Sequence, residues 1–398
     1  MGSWSVKYTD LVAGLTPIAA ELLAADLADV TIERDPPGDT SDQPWLTVKY
    51  GASGDEDIHG VTRVRVWAGT RGRGSADESP SARDLIIKVN PVHGIGETLI
   101  PWIVQHHDVS LDQPYATFHS TAETVATGVR EAAIYDLSAE LPHLRHVLPA
   151  HFGTISAGGE RAIVLADESP LTGLTAGGTT TADWTADQID IALVAIAAVH
   201  AETAEVASRL AWLPQRPTTT TMSADSALWS ALLDDASRRF PQLLPADSVA
   251  HRRALIDTLP RWHPAKDRCH QVLVHNDFNP RNVGFRSDGT TIALDWEIAR
   301  RDTPQRDVAE LLTFTLTDSA SLGQVLGHAE RHHDALAKHG LEMTTEEYLA
   351  GLAADLNSEA INRMGMQLLF ECAFDLPYMQ RVNRTIDHLT AITAPWLR

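Results

Sequence analysis

The chain has 398 residues and a formal charge of −21, from 32 Lys and Arg against 53 Asp and Glu. That balance excludes a nucleic-acid binder, which needs a basic face to neutralise phosphates, and it opposes docking on anionic lipid. Cys269 and Cys372 are too few for a disulfide framework or a thiolate metal site. No signal-peptide pattern opens the sequence and no apolar run reaches the roughly 18 residues of a membrane span, so the expected setting is the cytoplasm.

Leu11, Leu15, Ile18, Leu22 and Leu23 recur near helical spacing and predict a first helix over about 25 residues. Alternating segments predict strands at 45–50, 61–67 and 84–90, separated by loops at 51–60 and 69–82. The stretch between Lys88 and Arg130 has no assigned structure. A helix follows over 130–141, and a strand over 162–165 after the turn at 157–160. Thr185, with Gln188 three residues on, forms a capping box before a helix whose apolar face is Ile189, Leu193, Ile196 and Val199. Beyond Ala224 the chain reads as helical apart from one strand pair at 271–296. The expected fold class is therefore α+β, with a strand-rich part over 1–166 and a helical part over 167–398.

The strand pair carries the sharpest signal. Val272-Leu273-Val274 leads into His275-Asn276-Asp277-Phe278-Asn279-Pro280-Arg281-Asn282, and the strand 291–294 ends at Asp295-Trp296. Asp288-Gly289 between alternating runs signals a two-residue hairpin loop. Position i then pairs with 577 − i, which sets Asn282 opposite Asp295. An amide oxygen and a carboxylate about 5 Å apart at Cβ suit a hard divalent cation, which takes oxygen ligands. Asp277 lies on the loop feeding the same mouth, where it could take a proton without being a ligand.

The pattern His-x-Asp-x-x-x-x-Asn followed by Asp-Trp resembles the aminoglycoside phosphotransferase and choline kinase superfamily of protein-kinase-like small-molecule kinases. Asp307, twelve residues after Asp295, also fits that family. Asn276 stands where the family usually carries Gly, and Asn279 where it often carries His. The resemblance implies a two-lobed fold with a nucleotide-binding lobe over 1–166 and a helical acceptor lobe over 167–398. It implies Asp277 as base or orienter of the acceptor hydroxyl, Asn282 and Asp295 as Mg²⁺ ligands, and His275 and Asp307 as supports of the loop. Upstream it implies Lys88 as the phosphate-binding lysine and Glu131 as its carboxylate partner. Ala166, Asp167 and Glu168 become the hinge whose backbone meets adenine, with ATP (or GTP) as donor. The 51–60 loop is in place to cover phosphates, although it carries three acidic residues.

No Ala-Pro-Glu follows Asp295, and the short interval to Asp307 leaves no room for a peptide-docking platform, so a small-molecule hydroxyl is the expected acceptor. Candidate acceptor-wall residues are Glu359, Glu371, Asp375 and Tyr378. The expected activity is O-phosphorylation of an antibiotic of aminoglycoside, macrolide or nucleoside type. A choline, amino-alcohol or sugar kinase is the alternative, and a non-catalytic kinase-like nucleotide-binding protein is the reading from another class. Phe370, Phe374 and Tyr378, four apart, are read as core packing or as an aromatic cage for an ammonium. The pairs His106-His107 and His332-His333 are read as solvated surface, because adjacent residues do not share a helix face.

Overall fold

The computed structural model describes residues 6–34, 57–58, 60–68, 82–90, 100–104, 111–119, 126–157, 159–175, 184–371 and 376–398. Helix α1 (Tyr8–Leu23) precedes an antiparallel sheet of five strands. These are β1 (Val30–Arg34), β2 (Gly60–Ala68), β3 (Ala82–Asn90), β4 (His151–Ala157) and β5 (Glu160–Ala166), in the spatial order β1-β2-β3-β5-β4. In β2, Val64 and Val66 are buried while Arg63 and Arg65 are exposed, so the period-two pattern orients the strand. Leu11, Leu15 and Ala19 of α1 pack on that buried face with Val64, Val66, Leu85, Ile87 and Val89.

The opposite face of the sheet belongs to a second core. Ile163 and Leu165 of β5 join Ile134 and Tyr135 of helix α2 (Thr127–Leu137) and the rest of the helical region. Lys88 pairs with Ile163 across β3 and β5, so its side chain lies on this second face. It stands on a strand flanked on both sides, which rules out an edge-strand role.

Sequence reading missed β1 and β4. The first is a five-residue VTIER run with only two apolar residues, and the second is interrupted at Gly153 by a register shift. The strand expected at 45–50 and nearly all of the 51–60 and 69–82 loops lie outside the described residues.

In the helical region, α3 (Ala186–Thr203) starts on the capping box of Thr185 and Gln188, and its Ile189, Leu193, Ile196 and Val199 are all buried, as their spacing predicts. The embedded strands form two ladders rather than one. Strand β6 (Val272–Val274) pairs with β9 (Arg300–Asp302), while β7 (Val283–Phe285) pairs with β8 (Thr291–Ala293). The Arg-Arg-Asp sequence of β9 has no apolar alternation to reveal it. Helices at Ser226–Arg239 and Ala246–Asp257 precede the hairpin, and α4 (Gln305–Thr315), α5 (Leu322–Lys338), α6 (Thr345–Ser358), α7 (Met364–Glu371) and α8 (Met379–Thr393) follow β9. A π-helical turn (Glu359–Arg363) joins α6 to α7. Among the described residues, no helix is long and apolar enough to cross a membrane.

Candidate active site

The hairpin differs from its expected register by one residue. Phe285 pairs with Thr291, Gly284 with Ile292 and Val283 with Ala293, so paired positions sum to 576 rather than 577. The loop has three residues: Gly289 N–H donates to Arg286 O (2.9 Å), Arg286 N–H donates to Thr290 O (2.9 Å), and Gly289 has φ +83°. That is a turn closed by a glycine in the left-handed region, with Asp288 Oδ1 accepting from Thr290 N (2.9 Å). Asn282 O therefore accepts from Leu294 N at 2.7 Å, and Asp295 stands one position beyond the pair, with φ +63°. Asn282 and Asp295 still occupy adjoining strand ends, but not a direct cross-strand pair. Gly284 is needed for another reason: a Cβ there would lie 2.8 Å from Thr172 O, where the segment after β5 crosses the hairpin.

The loop before the hairpin is fixed through its backbone. Asp307, at the start of α4 and fully buried, accepts from His275 N (2.9 Å), Asn276 N (2.8 Å) and His200 Nε2 (3.0 Å). Burial opposes the Asp307 charge, but the His200 hydrogen bond together with the His275 contacts outweighs it and lowers its pKa. His275 stacks on Trp296 with centroids 4.6 Å apart. Its Nε2 donates to Leu294 O (2.8 Å) and its Nδ1 accepts from Asp277 N (3.2 Å), which fixes a neutral tautomer. Asn276 has φ +68°, a conformation that Gly or Asn adopts more readily than other residues. Its side chain then contributes what Gly could not: Nδ2 donates to Ile298 O (3.0 Å) and Oδ1 accepts from Arg306 Nε (2.9 Å).

Asp277 has two unequal oxygens. Oδ1 accepts from Asn279 Nδ2 (2.7 Å), Arg281 Nη2 (3.2 Å) and Arg363 Nη2. Oδ2 accepts from Asn282 Nδ2 at 2.8 Å. Burial raises the carboxyl pKa, but Arg363 and Arg281 outweigh it and hold the group well below the usual carboxylate range. Arg281 also lies 4.7 Å from the Tyr378 ring and donates to its hydroxyl at 2.6 Å. Behind the loop, Arg306 joins Glu310 (2.9 Å) and Glu359, and Asn279 donates to Glu310 Oε1 (3.0 Å).

On the sheet side, Lys88 Nζ lies 2.7 Å from Glu131 Oε2 and 2.6 Å from Asp295 Oδ1. Helix α2 holds this contact, since Arg130 Nη1 donates to Glu297 O at 3.0 Å. Burial disfavours the Lys88 charge, but Asp295 and Glu131 more than restore it, raising its pKa well above the lysine value. Glu297, half-buried beside Asp295, is pushed up to about 8 by its burial and by the Asp295 charge. Carboxylate oxygens of Glu131, Asp295 and Glu297 lie within 4.8 Å of one another. Oxygen donors of this kind are the ones that hard divalent cations take.

Ala166 ends β5. Asp167 Oδ2 pairs with Arg63 (2.6 Å), and Glu168 ties the segment after β5 to the hairpin through Arg286 (3.2 Å).

The candidate acceptor residues are placed differently from expectation. Glu359 is buried at 1% exposure against Arg306, so it braces the loop instead of facing an acceptor. Glu371 accepts from Leu376 N (2.8 Å), closing the end of α7. Tyr378 reaches the site only through Arg281. Asp375 and Phe374 lie outside the described residues. Residues 376–378 are not helical and α8 starts at Met379, so Phe370 and Tyr378 do not share a helix.

His332 is also corrected: it is fully buried, bonded to His200 and Tyr348, while only its neighbour His333 is partly exposed. His106 and His107 lie outside the described residues. Arg281, Arg306, Glu310 and Arg363 were not singled out from sequence. Arg306 and Glu310 flank Asp307 within one helical turn, which was the available signal. Arg363, far along the chain, offered none.

The family model described as "Phosphotransferase enzyme family" matches residues 115–339, over half of the chain. The chain matches no curated protein. Among solved structures it is similar to choline kinase LicA from Streptococcus pneumoniae, at 12% identity, with 96% of this chain and 98% of that chain covered and a TM-score of 0.42. It is also similar to a macrolide 2′-phosphotransferase type I (16% identity, 98% of each chain, TM-score 0.46). A third is an aminoglycoside-3′-phosphotransferase of type VIII (16%, 83% of this chain and 93% of that chain, TM-score 0.40). A five-stranded antiparallel sheet is followed by the helical region that holds the loop and the hairpin.

Proposed function

Because the chain belongs to the phosphotransferase enzyme family and is a small-molecule kinase with a hydroxyl acceptor, we propose that it moves the γ-phosphoryl group of ATP onto that hydroxyl at Asp277. The observation that carries this reading is the meeting of Lys88, from the sheet, with Asp295, from the hairpin, at 2.6 Å. It sets a cation and a metal-type carboxylate at one mouth with Asp277 and Asn282.

In this reading Lys88, oriented by Glu131, binds the α- and β-phosphates, and the hinge at Ala166, Asp167 and Glu168 takes the base. Asn282 and Asp295 hold Mg²⁺, which when bound neutralises charge on the phosphate oxygens. Asp277 orients the acceptor through Oδ2, because Oδ1 already accepts from three donors whereas Oδ2 accepts from Asn282 alone. A carboxylate held anionic by two guanidiniums is a weak base. That suits a loose transition state, in which positioning matters more than early proton removal.

Arg281 and Arg363 occupy the Oδ1 side, so an ammonium next to the reacting hydroxyl would meet like charge. Within the expected acceptors, this favours an uncharged sugar- or nucleoside-type hydroxyl over an aminoglycoside or choline-like amine. Activity in the cytoplasm, where ATP and Mg²⁺ are available, completes the proposal.

The test is ADP release with Mg²⁺ across nucleoside antibiotics, macrolides, sugars, aminoglycosides and choline-like amines, with Asp277→Ala as control. Acceptor-dependent ADP release that Asp277→Ala lacks supports the reading. Equal turnover by the variant overturns it.

A further inference from the structure

The helical region buries a row of polar side chains outside the nucleotide site. His200 on α3, His332 on α5 and Tyr348 on α6 are each 0–1% exposed. They stand in single file. The Tyr348 hydroxyl is 2.9 Å from His332 Nδ1, His332 Nε2 is 3.2 Å from His200 Nδ1, and His200 Nε2 is 3.0 Å from Asp307 Oδ2. The file ends on the carboxylate that grips the backbone N–H groups of His275 and Asn276 at 2.9 and 2.8 Å.

The protons in this file can be assigned. A carboxylate only accepts, so His200 carries its proton on Nε2. Burial, with His200 and His333 beside it, holds the His332 imidazole well below the usual histidine range, so it is neutral and has one N–H. When each imidazole carries one N–H, one arrangement satisfies every atom. Tyr348 O–H donates to His332 Nδ1, His332 Nε2–H donates to His200 Nδ1, and His200 Nε2–H donates to Asp307. All three donors point toward the loop and no further charge is buried.

Helix α6 meets the loop's supports at more than this point. Tyr348, Asp355 and Glu359 recur at i, i+7 and i+11, on one helical face. Asp355 bonds Thr303 and Lys266, and Glu359 bonds Arg306. Apolar residues could fill the same volume. A fully satisfied polar file instead fixes one arrangement of the helices and the loop they hold.

We propose that His332 and Tyr348 are positioning residues for the catalytic loop, acting through His200 and Asp307 on the backbone just before Asp277. The word catalytic rests on the phosphotransfer reading; the mechanical link does not.

The test compares Tyr348→Phe, His332→Leu and His332→Gln in the full chain. Gln can accept from Tyr348 and donate to His200, whereas Leu can do neither. The readouts are hydrogen exchange at the His275 and Asn276 amides, and kcat and KM for MgATP. Tyr348→Phe and His332→Leu are expected to speed exchange at those two amides about tenfold, the scale of one lost hydrogen bond, and to lower kcat at unchanged KM. His332→Gln is expected to restore both. Wild-type exchange at the two amides in His332→Leu overturns the proposal. So does an equal loss in His332→Gln and His332→Leu accompanied by faster exchange throughout the chain. If the two amides respond as expected but wild-type protein shows no ATP turnover, the phosphotransfer reading fails and the link between the file and the loop stands.

Discussion

The loop over residues 275–282 is held from two sides by networks of opposite character. At its start, Asp307 takes two backbone amides, backed by His200, His332 and Tyr348. At Asp277 the partners are charged: Arg281 and Arg363, with Glu310, Arg306 and Glu359 behind them. The first network binds backbone and fixes where the loop is. The second binds the Asp277 side chain, holds it anionic and leaves Oδ2 with fewer donors than Oδ1. Under the proposed phosphotransfer, a loop that presents one carboxylate oxygen to a mobile substrate needs both. The contrast predicts different failures when each is cut.

The largest effect should come from the side chain that both networks serve. Asp277→Ala should lower kcat by roughly 10²–10⁴-fold, with MgATP affinity near wild type by calorimetry. Asp295→Ala should instead abolish the Mg²⁺-dependent part of nucleotide affinity, read by the same titration with and without metal. Next comes the charged network. Arg306→Met leaves Glu359 buried without its guanidinium and Glu310 with the longer contact to Arg363 (3.7 Å), and should cost about 3–5 kcal/mol of stability in denaturant unfolding. An unchanged midpoint would mean that the carboxylates shed their charge at little cost.

The histidine file predicts a milder dependence on pH. The folded His332 pKa is depressed, with His200, His333 and Tyr348 facing it and Asp307 beyond His200. The unfolded imidazole takes up a proton below about pH 6.5 while the folded one does not. Its contribution to stability is therefore complete above that pH and is lost as pH falls toward the folded value, by up to about 1.4 kcal/mol per pH unit. His332→Gln should reduce the acid-side slope of stability against pH by up to one proton.

How much of this was legible in the sequence depends on distance along the chain. The loop, hairpin and Asp307 lie within a few dozen residues and carry fixed spacings, so their grouping could be read directly. Lys88 and Glu131 could be named because the resemblance implies such a pair and an apolar strand and a helix start offer the positions, although nothing local shows that they meet Asp295. The hairpin register was misjudged by one because Asp-Gly suits both a two-residue loop and a three-residue loop closed by Gly289. Arg363 was invisible, since it reaches Asp277 from a π-helical turn 86 residues downstream. His332 misled because adjacency to His333 suggests a surface pair, while α5 turns one histidine inward and the other outward. The acidic candidates for an acceptor wall failed for a general reason: sequence shows charge but not its partner.

The smallest predicted effect asks whether the turn or the two networks hold the site in place. Gly289 has φ +83°, and a Cβ there would meet no atom within 4 Å. Gly289→Ala therefore tests backbone conformation alone, at a cost of about 1–2 kcal/mol for an L-residue in the left-handed region. If the networks hold the loop, that loss should appear as a drop of a few degrees in Tm, with kcat and KM at wild-type values. Asn282 and Asp295 would stay where the Leu294–Asn282 bond and the His275–Leu294 bond set them. If kcat fell tenfold instead, the turn would be setting the register at the metal-binding end, and the comparison between the two networks would have omitted a third support.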